Sequence, residues 1–472
     1  MVWWGVEVAM TSKTRTETDS LGVREVPGEA YYGAQTSRSM ENFPFGGLLP
    51  MGVVRGMAQV KAAAAAANMR SGRLDGRMGA AIVAALEEVA AGKFDGEFGV
   101  SVYQAGSGTS SHMNLNEVAA NRANEMLGGK RGEKRPVHPN DHVNMGQSTN
   151  NVFPSGAKVA VWMEGLPAAK RGLGRLAKAL RGKERAFAGV MKTGRTHLQD
   201  AVPITLGQEF GAWAEAVERA VGRLETAADA LLDLGAGGNA VGTGVNTRAD
   251  FRKELVRALR ARTGVKWRAA RDAVQATQIM SDFAWFSGAV RAAALDVGQV
   301  ANNLRLLGSG PNSGLGEIEL PAVEPGSSIM PGKVNPSICE SANMAVMRVV
   351  GLDASVAAAC GAGQLELNTH MPLIAAGVLE ELELLGAAAG NLAERCVKGI
   401  RARKDRCAAG LERSAGLATV LNPALGYDRV AGLVKEGLAR GLTLKELALE
   451  KGLLDEAGYR KLVGGATGPN LE

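Results

Sequence analysis

Gly326-Ser327-Ser328-Ile329-Met330-Pro331-Gly332-Lys333-Val334-Asn335-Pro336 reads as a mobile loop. Its glycines give the backbone freedom, and Pro325, Pro331 and Pro336 prevent one continuous helix. Two hydroxyls, one ammonium and one amide lie between them. Hydroxyls, backbone N–H groups and a lysine gathered in this way make a site for an anion, best a carboxylate. A plain surface loop would explain the glycines but not the ordered Ser-Ser…Lys-x-Asn.

Outward from this loop the pattern is helical. Apolar spacing predicts helices over about 272–307 and 337–359 on its two sides, and over about 52–70, 77–92, 114–127, 155–190, 248–263 and 373–399 elsewhere. The clearest helix spans about 204–234, where Phe210, Val217, Leu224 and Leu231 recur every seven residues, with Ala214, Val221 and Ala228 four later. Such a stripe suits a long helix packed lengthwise in a bundle. Strand signals are few. Residues 11–50 are polar and turn-rich and are expected to drape over the body. The expected class is all-α, in three domains: a mostly helical N-terminal domain (1–140), a central long-helix bundle (141–399) and a small C-terminal helical domain (400–472).

Composition narrows the function. The 472 residues are 46% hydrophobic, 22% charged and 4% aromatic, with 62 glycines, ordinary for a globular protein and suited to close helix packing. Net charge is +6. The densest basic run, Lys130-Arg131 and Lys134-Arg135, has no interleaved aromatics and reads as a solvated loop, so nucleic acid is not an expected partner. Cys339, Cys360, Cys396 and Cys407 are scattered, without a metal-knuckle or disulfide pattern, which suits a reducing cytoplasm. The Ala62–Ala67 run, flanked by Lys61 and Arg70, is too short to span a membrane, and no membrane partner is expected. Met1–Met10 has no basic region and is not expected to be a signal peptide; Met10 is an alternative start.

Three further polar clusters sit at breaks between helices. Gly106-Ser107-Gly108-Thr109 alone would read as a turn. Asn144-Met145-Gly146-Gln147-Ser148-Thr149-Asn150 precedes a long helix, where capping and carboxylate binding are equally good readings. Gly194-Arg195-Thr196-His197-Leu198-Gln199-Asp200 also precedes a long helix, and its histidine, beside a hydroxyl and away from apolar residues, points to function.

The opening loop resembles the signature of the fumarase/aspartase superfamily, and the three other clusters match its motifs in order and spacing. Leu21–Pro27 and Tyr31–Thr36 resemble its N-terminal segment, so the likeness runs from Leu21 to about Val463. It implies a homotetramer with a multi-helix core, in which three subunits share each active site. It also implies anti β-elimination from a four-carbon dicarboxylate through an aci-carboxylate. In that scheme Ser327 is the base, and Lys333, Asn335 and the loop N–H groups, Ser328 among them, stabilise the enolate-like carboxylate. Thr196 and His197 contact the same carboxylate, and Glu340 orients His197. Ser107, Thr109, Ser148, Thr149 and Asn150 hold the other end. The scheme requires no cofactor, and no metal-ligand spacing is visible.

Within the superfamily, Tyr32, Ser148-Thr149-Asn150, Gly363–Asn368 with Met371-Pro372, and Asn422-Pro423 with Gly426-Tyr427 resemble aspartate ammonia-lyase. L-aspartate is therefore the expected substrate. His138-Pro139-Asn140-Asp141, Ser107 and Gly314–Ile318 instead resemble class II fumarate hydratase, the alternative. Asn151, Asn303, Asn312, His112 and Asn239 depart from the family's pattern, which leaves a third reading, a catalytically silent structural homologue. The presence of Ser327, Lys333, Asn335, Thr196, His197 and Glu340 argues against it.

Overall fold

Small residues set the packing. In a computed structural model that describes residues 13–467, Met51–Arg70 is one helix, and its alanine run is buried. A Cβ on Gly56 would lie 2.1 Å from the Gly156 carbonyl oxygen, so the backbones of Met51–Arg70 and Thr149–Ala160 touch directly, an approach that only glycine permits. Gly76–Ala90 and Phe251–Thr263 pack on the same helix.

The described chain forms two compact units. The first comprises residues 13–169, Arg223–Arg291 and Arg348–Leu384. It opens with the antiparallel hairpin Thr14–Asp19/Gly22–Pro27, a pair of strands in a stretch that reads as polar and turn-rich. The Tyr31–Thr36 motif then leads into helix Ala34–Asn42. Buried Glu117 accepts from the N–H groups of Gly33 and Gln35 (2.8 and 2.9 Å) and from the Thr36 hydroxyl (2.6 Å), so a carboxylate from helix Thr109–Met126 satisfies that helix start. The basic run is not simply solvated: Arg131 lies 3.9 Å over the Tyr31 ring and bonds Glu125 at 2.6 Å.

The second unit comprises Lys170–Gly222, Ala292–Met347 and residues 385–467. After Gly399 come five helices of 7 to 14 residues. They enclose their own apolar cluster, with Leu417, Leu421, Val430, Leu433, Leu447 and Tyr459 among its members.

The architecture is all-α. The long helices are Leu166–Ala186, Leu206–Ala228, Ser281–Leu307, Ser337–Gly361 and Met371–Arg395. Phe210, Val217, Leu224 and Leu231 are all buried, as the heptad stripe requires. The expected helix over 272–307 is broken at 279–280, and the one over 155–190 contains a π-helical turn at Val161–Gly165. The described strands form four two-stranded pairs. By length and hydropathy alone Ser337–Gly361 would suffice to cross a bilayer. Its Asp353 is buried and accepts from Ser287 (2.8 Å) and Arg291 (2.7 Å), which is the chemistry of a helix packed among helices.

Candidate active site

Two clusters lie in the first unit. Gly108, at φ +84°, starts helix Thr109–Met126. A Cβ on Gly106 would fall 1.8 Å from the Thr369 carbonyl oxygen and one on Gly108 2.1 Å from the Phe153 ring, so both glycines are compelled by contact. They hold Ser107 where its Oγ meets Thr109 Oγ1 at 2.8 Å. Ser148 caps helix Thr149–Ala160, accepting from Asn150 N–H at 3.3 Å. Asn150 Nδ2 donates to the Ala240 carbonyl at 2.7 Å, leaving its Oδ1 and the Thr149 hydroxyl at a helix start. Asn151 is fully buried and donates to Thr277 Oγ1 at 2.7 Å, so a neutral amide has a neutral partner where the family pattern has Asp. Just upstream, His138–Asp141 winds into a π-helical turn, Pro139–Val143, with His138 Nδ1 accepting from the N–H groups of Asn140 and Asp141.

The remaining residues lie in the second unit. Thr196 and His197 belong to a β-hairpin, Met191–Thr196 paired with Gln199–Thr205, and not to the expected helix start; helix Leu206–Ala228 follows only afterwards. The reason is the turn. His197 and Leu198 both adopt positive φ, +56° and +60°, the pair of left-handed residues that closes a tight two-residue hairpin. His197 thus stands exposed at the tip.

The base of this hairpin carries an ion network that sequence reasoning missed. Buried Lys192 contacts Glu209 and Glu317, each at 2.7 Å, and Arg195 Nη2 contacts Glu317 at 2.8 Å. Glu317 lies in Gly314–Ile318, so that segment holds the hairpin through charge. Lys192 and Glu317 are more than a hundred residues apart, so no local pattern signals their pairing.

The loop 321–336 has no helix or strand. Gly326 N–H donates to the Lys333 carbonyl (3.0 Å), and Asn335 Nδ2 donates to the Gly326 carbonyl (2.5 Å), pinching the loop at its neck. Gly332 takes φ +82°. Ser327 Oγ accepts from the N–H groups of Ile329 (3.2 Å) and Met330 (3.0 Å). Ser328 and Lys333 are exposed. Lys333, Asn335 and Glu340 border a cavity of about 1030 Å³ together with Arg305, Arg401 and Arg403, a basic surround suited to anions. Glu340 Oε1 is 3.9 Å from Arg305 and makes no hydrogen bond to His197 within the chain. Cys339 and Cys396, far apart in sequence, bring their sulfurs to 3.7 Å as buried free thiols. Among the described residues no group of three or more His, Cys, Asp or Glu side chains gathers to hold a metal ion.

Comparison with known proteins places this geometry. A family described as Lyase matches residues 22–351, and one described as Fumarase C C-terminus matches residues 417–464. Class II fumarate hydratase of Brucella suis is 46% identical over 451 residues, 95% of this chain and 97% of that one. Class II fumarate hydratase of Halobacterium salinarum is 47% identical, covering 95% of each chain. The mitochondrial fumarate hydratase of Rattus norvegicus is 44% identical over 95% of this chain and 89% of its own. Among solved structures, a fumarate lyase:delta crystallin from Brucella melitensis bound to cobalt has a TM-score of 0.94 at 46% identity, covering 97% of this chain and all of that one. Recombinant class II fumarase from Schistosoma mansoni has a TM-score of 0.91 at 38% identity with the same coverage.

These relatives overturn the aspartate ammonia-lyase reading: full-length and 44–47% identical, they carry the name fumarate hydratase. Among the features that pointed to aspartate, Gly363–Asn368, Met371 and Gly426 serve the scaffold. Asn368 Nδ2 donates to the Ala359 and Cys360 carbonyls at the end of a helix, Met371 N–H donates to the Gly106 carbonyl, and Gly426, at φ +82°, links two C-terminal helices. Residues chosen for such contacts carry no information about the leaving group.

Proposed function

This chain belongs to the fumarase/aspartase superfamily of lyases, and from that premise we propose that it is a class II fumarate hydratase, interconverting L-malate and fumarate with water as the group eliminated. The observation that carries the choice is the name shared by its full-length relatives. His138–Asp141 and Gly314–Ile318 agree with it.

In the proposed mechanism the proton beside one malate carboxylate leaves to Ser327. A serine oxygen is a poor base unless its anion is stabilised, and the two backbone N–H groups aimed at Ser327 Oγ supply that stabilisation before substrate arrives. The resulting carbanion is a doubly charged aci-carboxylate. The Lys333 ammonium, the Asn335 amide, the N–H groups around Ser328, and Thr196 with His197 hold its negative oxygens. Glu340 orients His197 across a subunit boundary. Ser107, Thr109, Ser148, Thr149 and Asn150 hold the departing hydroxyl or the second carboxylate, where a helix N-terminus favours an anion. The reading carries with it a homotetramer with sites shared by three subunits and a reducing, cytoplasmic compartment that keeps Cys339 and Cys396 as thiols. A division at 140 and 399 goes with it, supported by the separate core after Gly399.

The test is to offer the purified protein L-malate and L-aspartate separately and follow the ultraviolet absorbance of fumarate. Fumarate from malate alone is expected. Silence on malate from a folded protein would sink the reading.

A further inference from the structure

Lys61 is a lone cation among alanines, and in sequence it reads as a flank of the run. In the structure it is wholly buried. Its Nζ lies 3.0 Å from His112 Nε2, 3.2 Å from Asn144 Oδ1 and 3.4 Å from Gln147 Oε1. His112, also buried, stands where the family pattern has Asn, and its Nε2 is 2.7 Å from Asn144 Oδ1. Two bases therefore face each other out of water, and no carboxylate faces either. Glu117, on the helix that carries His112, turns instead to Gly33 and Thr36. On the segment leading to Asn144, His142 Nδ1 accepts from His138 N–H, and His138 Nδ1 accepts from the N–H groups of Asn140 and Asp141. No charged group other than Lys61 acts on His112.

Hydrogen-bond bookkeeping fixes the protons. Asn144 Nδ2 donates to the Gln147 carbonyl, so Asn144 Oδ1 faces the bases as an acceptor. At 2.7 Å from it, His112 Nε2 must carry hydrogen. An ammonium at Lys61 would then set donor against donor at 3.0 Å. A neutral amine instead presents its lone pair to Nε2–H, whose one hydrogen is shared between Asn144 Oδ1 and Lys61 Nζ, and gives its own two hydrogens to Asn144 Oδ1 and Gln147 Oε1. His112 Nδ1 has no partner. As a bare lone pair that is tolerable, but a proton added there would have no acceptor in a dry site. Burial pushes both groups below their ordinary values, Lys61 from 10.5 and His112 from 6.5.

We propose that Lys61 and His112 form an uncharged hydrogen-bonded pair that positions the Asn144–Gln147 turn, and through it the two segments on either side, the π-helical turn after His138 and the candidate substrate-binding Ser148–Asn150. Gln147 Nε2 also donates to the Val143 carbonyl at 2.9 Å, so the side chains held by the pair tie the π-helical turn to the helix start. Lys61 and His112 are positioning residues; neither touches the groups assigned to substrate. An extra proton sets donor against donor, releases Asn144 and loosens both segments. Substrate affinity then falls with pH while the chemical step, at Ser327, is spared.

The link to substrate rests on the hydratase reading; the pair itself does not, and two measurements separate them. In the first, KM and kcat for malate are followed against pH in the wild type and in His112→Asn, which keeps an amide partner and cannot titrate. The wild-type KM is expected to rise on the acid side, by up to about tenfold per pH unit for a single proton, with kcat following less, and the rise is expected to vanish in His112→Asn. Identical KM profiles would overturn the positioning role. In the second, thermal unfolding of the wild type and Lys61→Met is compared from about pH 7 to about pH 9. A base held below its ordinary value takes up a proton on unfolding, so its contribution to stability grows as pH rises toward the unfolded value. The wild type is expected to gain Tm over this span relative to Lys61→Met. An equal gain in both would overturn the neutral pair, whether or not malate is a substrate.

Discussion

At the scale of the residue, Ser327 carries the sharpest consequence. Its oxygen already accepts two backbone N–H bonds, an arrangement that lowers the cost of an alkoxide more than it helps a neutral hydroxyl. Lys333, exposed on the same loop, adds a mobile positive charge. Neither side chain fills the core, so removing either costs chemistry and not folding. Ser327→Ala and Lys333→Ala are expected to lower kcat for malate by about a thousandfold or more, with circular dichroism and Tm close to wild type. Turnover near wild type in either variant would remove that residue from the mechanism. Asn335 acts differently, since its amide ties the loop neck to Gly326, and its loss mixes loop disorder with lost charge stabilisation.

At the scale of the element, the hairpin that carries His197 depends on Glu317. One carboxylate lies within 2.7 Å of Lys192 and 2.8 Å of Arg195, and Lys192 is 1% exposed. Glu317→Gln leaves that ammonium with Glu209 alone and Arg195 without its acid. Breaking a buried pair in this way costs about 3 kcal/mol. Denaturant unfolding is expected to show that loss, and KM for malate to rise as the hairpin tip wanders; an unchanged denaturation midpoint would show the network to be incidental. This network also marks the limit of what the sequence discloses. Long helices were legible because apolar spacing is local: the Phe210 heptad and the alanine run each report their own burial. The His197 hairpin was not, because its turn is made by two non-glycine residues at positive φ, which no composition rule announces. Lys61, Glu117 and Glu317 were invisible for a related reason. A charge is read as solvated unless its partner, tens of residues or more away, is known.

At the scale of the whole molecule, the described chain leaves one apolar helix face open. Helix Ser337–Gly361 buries Ala342, Val349, Leu352 and Val356 on one side. On the other, Met344 and Met347 are 65% and 71% exposed, and Gly351, Ala354 and Ala358 continue the stripe in the open. The spacing of three, four, three and four is that of a bundle seam, and the small residues would admit a neighbouring helix at close range. The same two-sided apolarity makes this helix pass for a membrane span. In the proposed homotetramer a second copy of the chain would satisfy it without a bilayer and, with three subunits sharing each site, would complete the chemistry too. Met347→Glu places a charge in that seam, where an unpaired carboxylate costs several kcal/mol to desolvate. It leaves the subunit's own core in place, because Met347 is 71% exposed. Light scattering after size exclusion is expected to show a tetramer for the wild type and smaller species for the variant, with malate turnover lost in parallel and helical content retained. A variant that stays tetrameric would place the seam elsewhere. One that dissociates yet keeps full turnover would mean that each chain holds a complete site, and that Glu340 and His197 need no neighbour to meet.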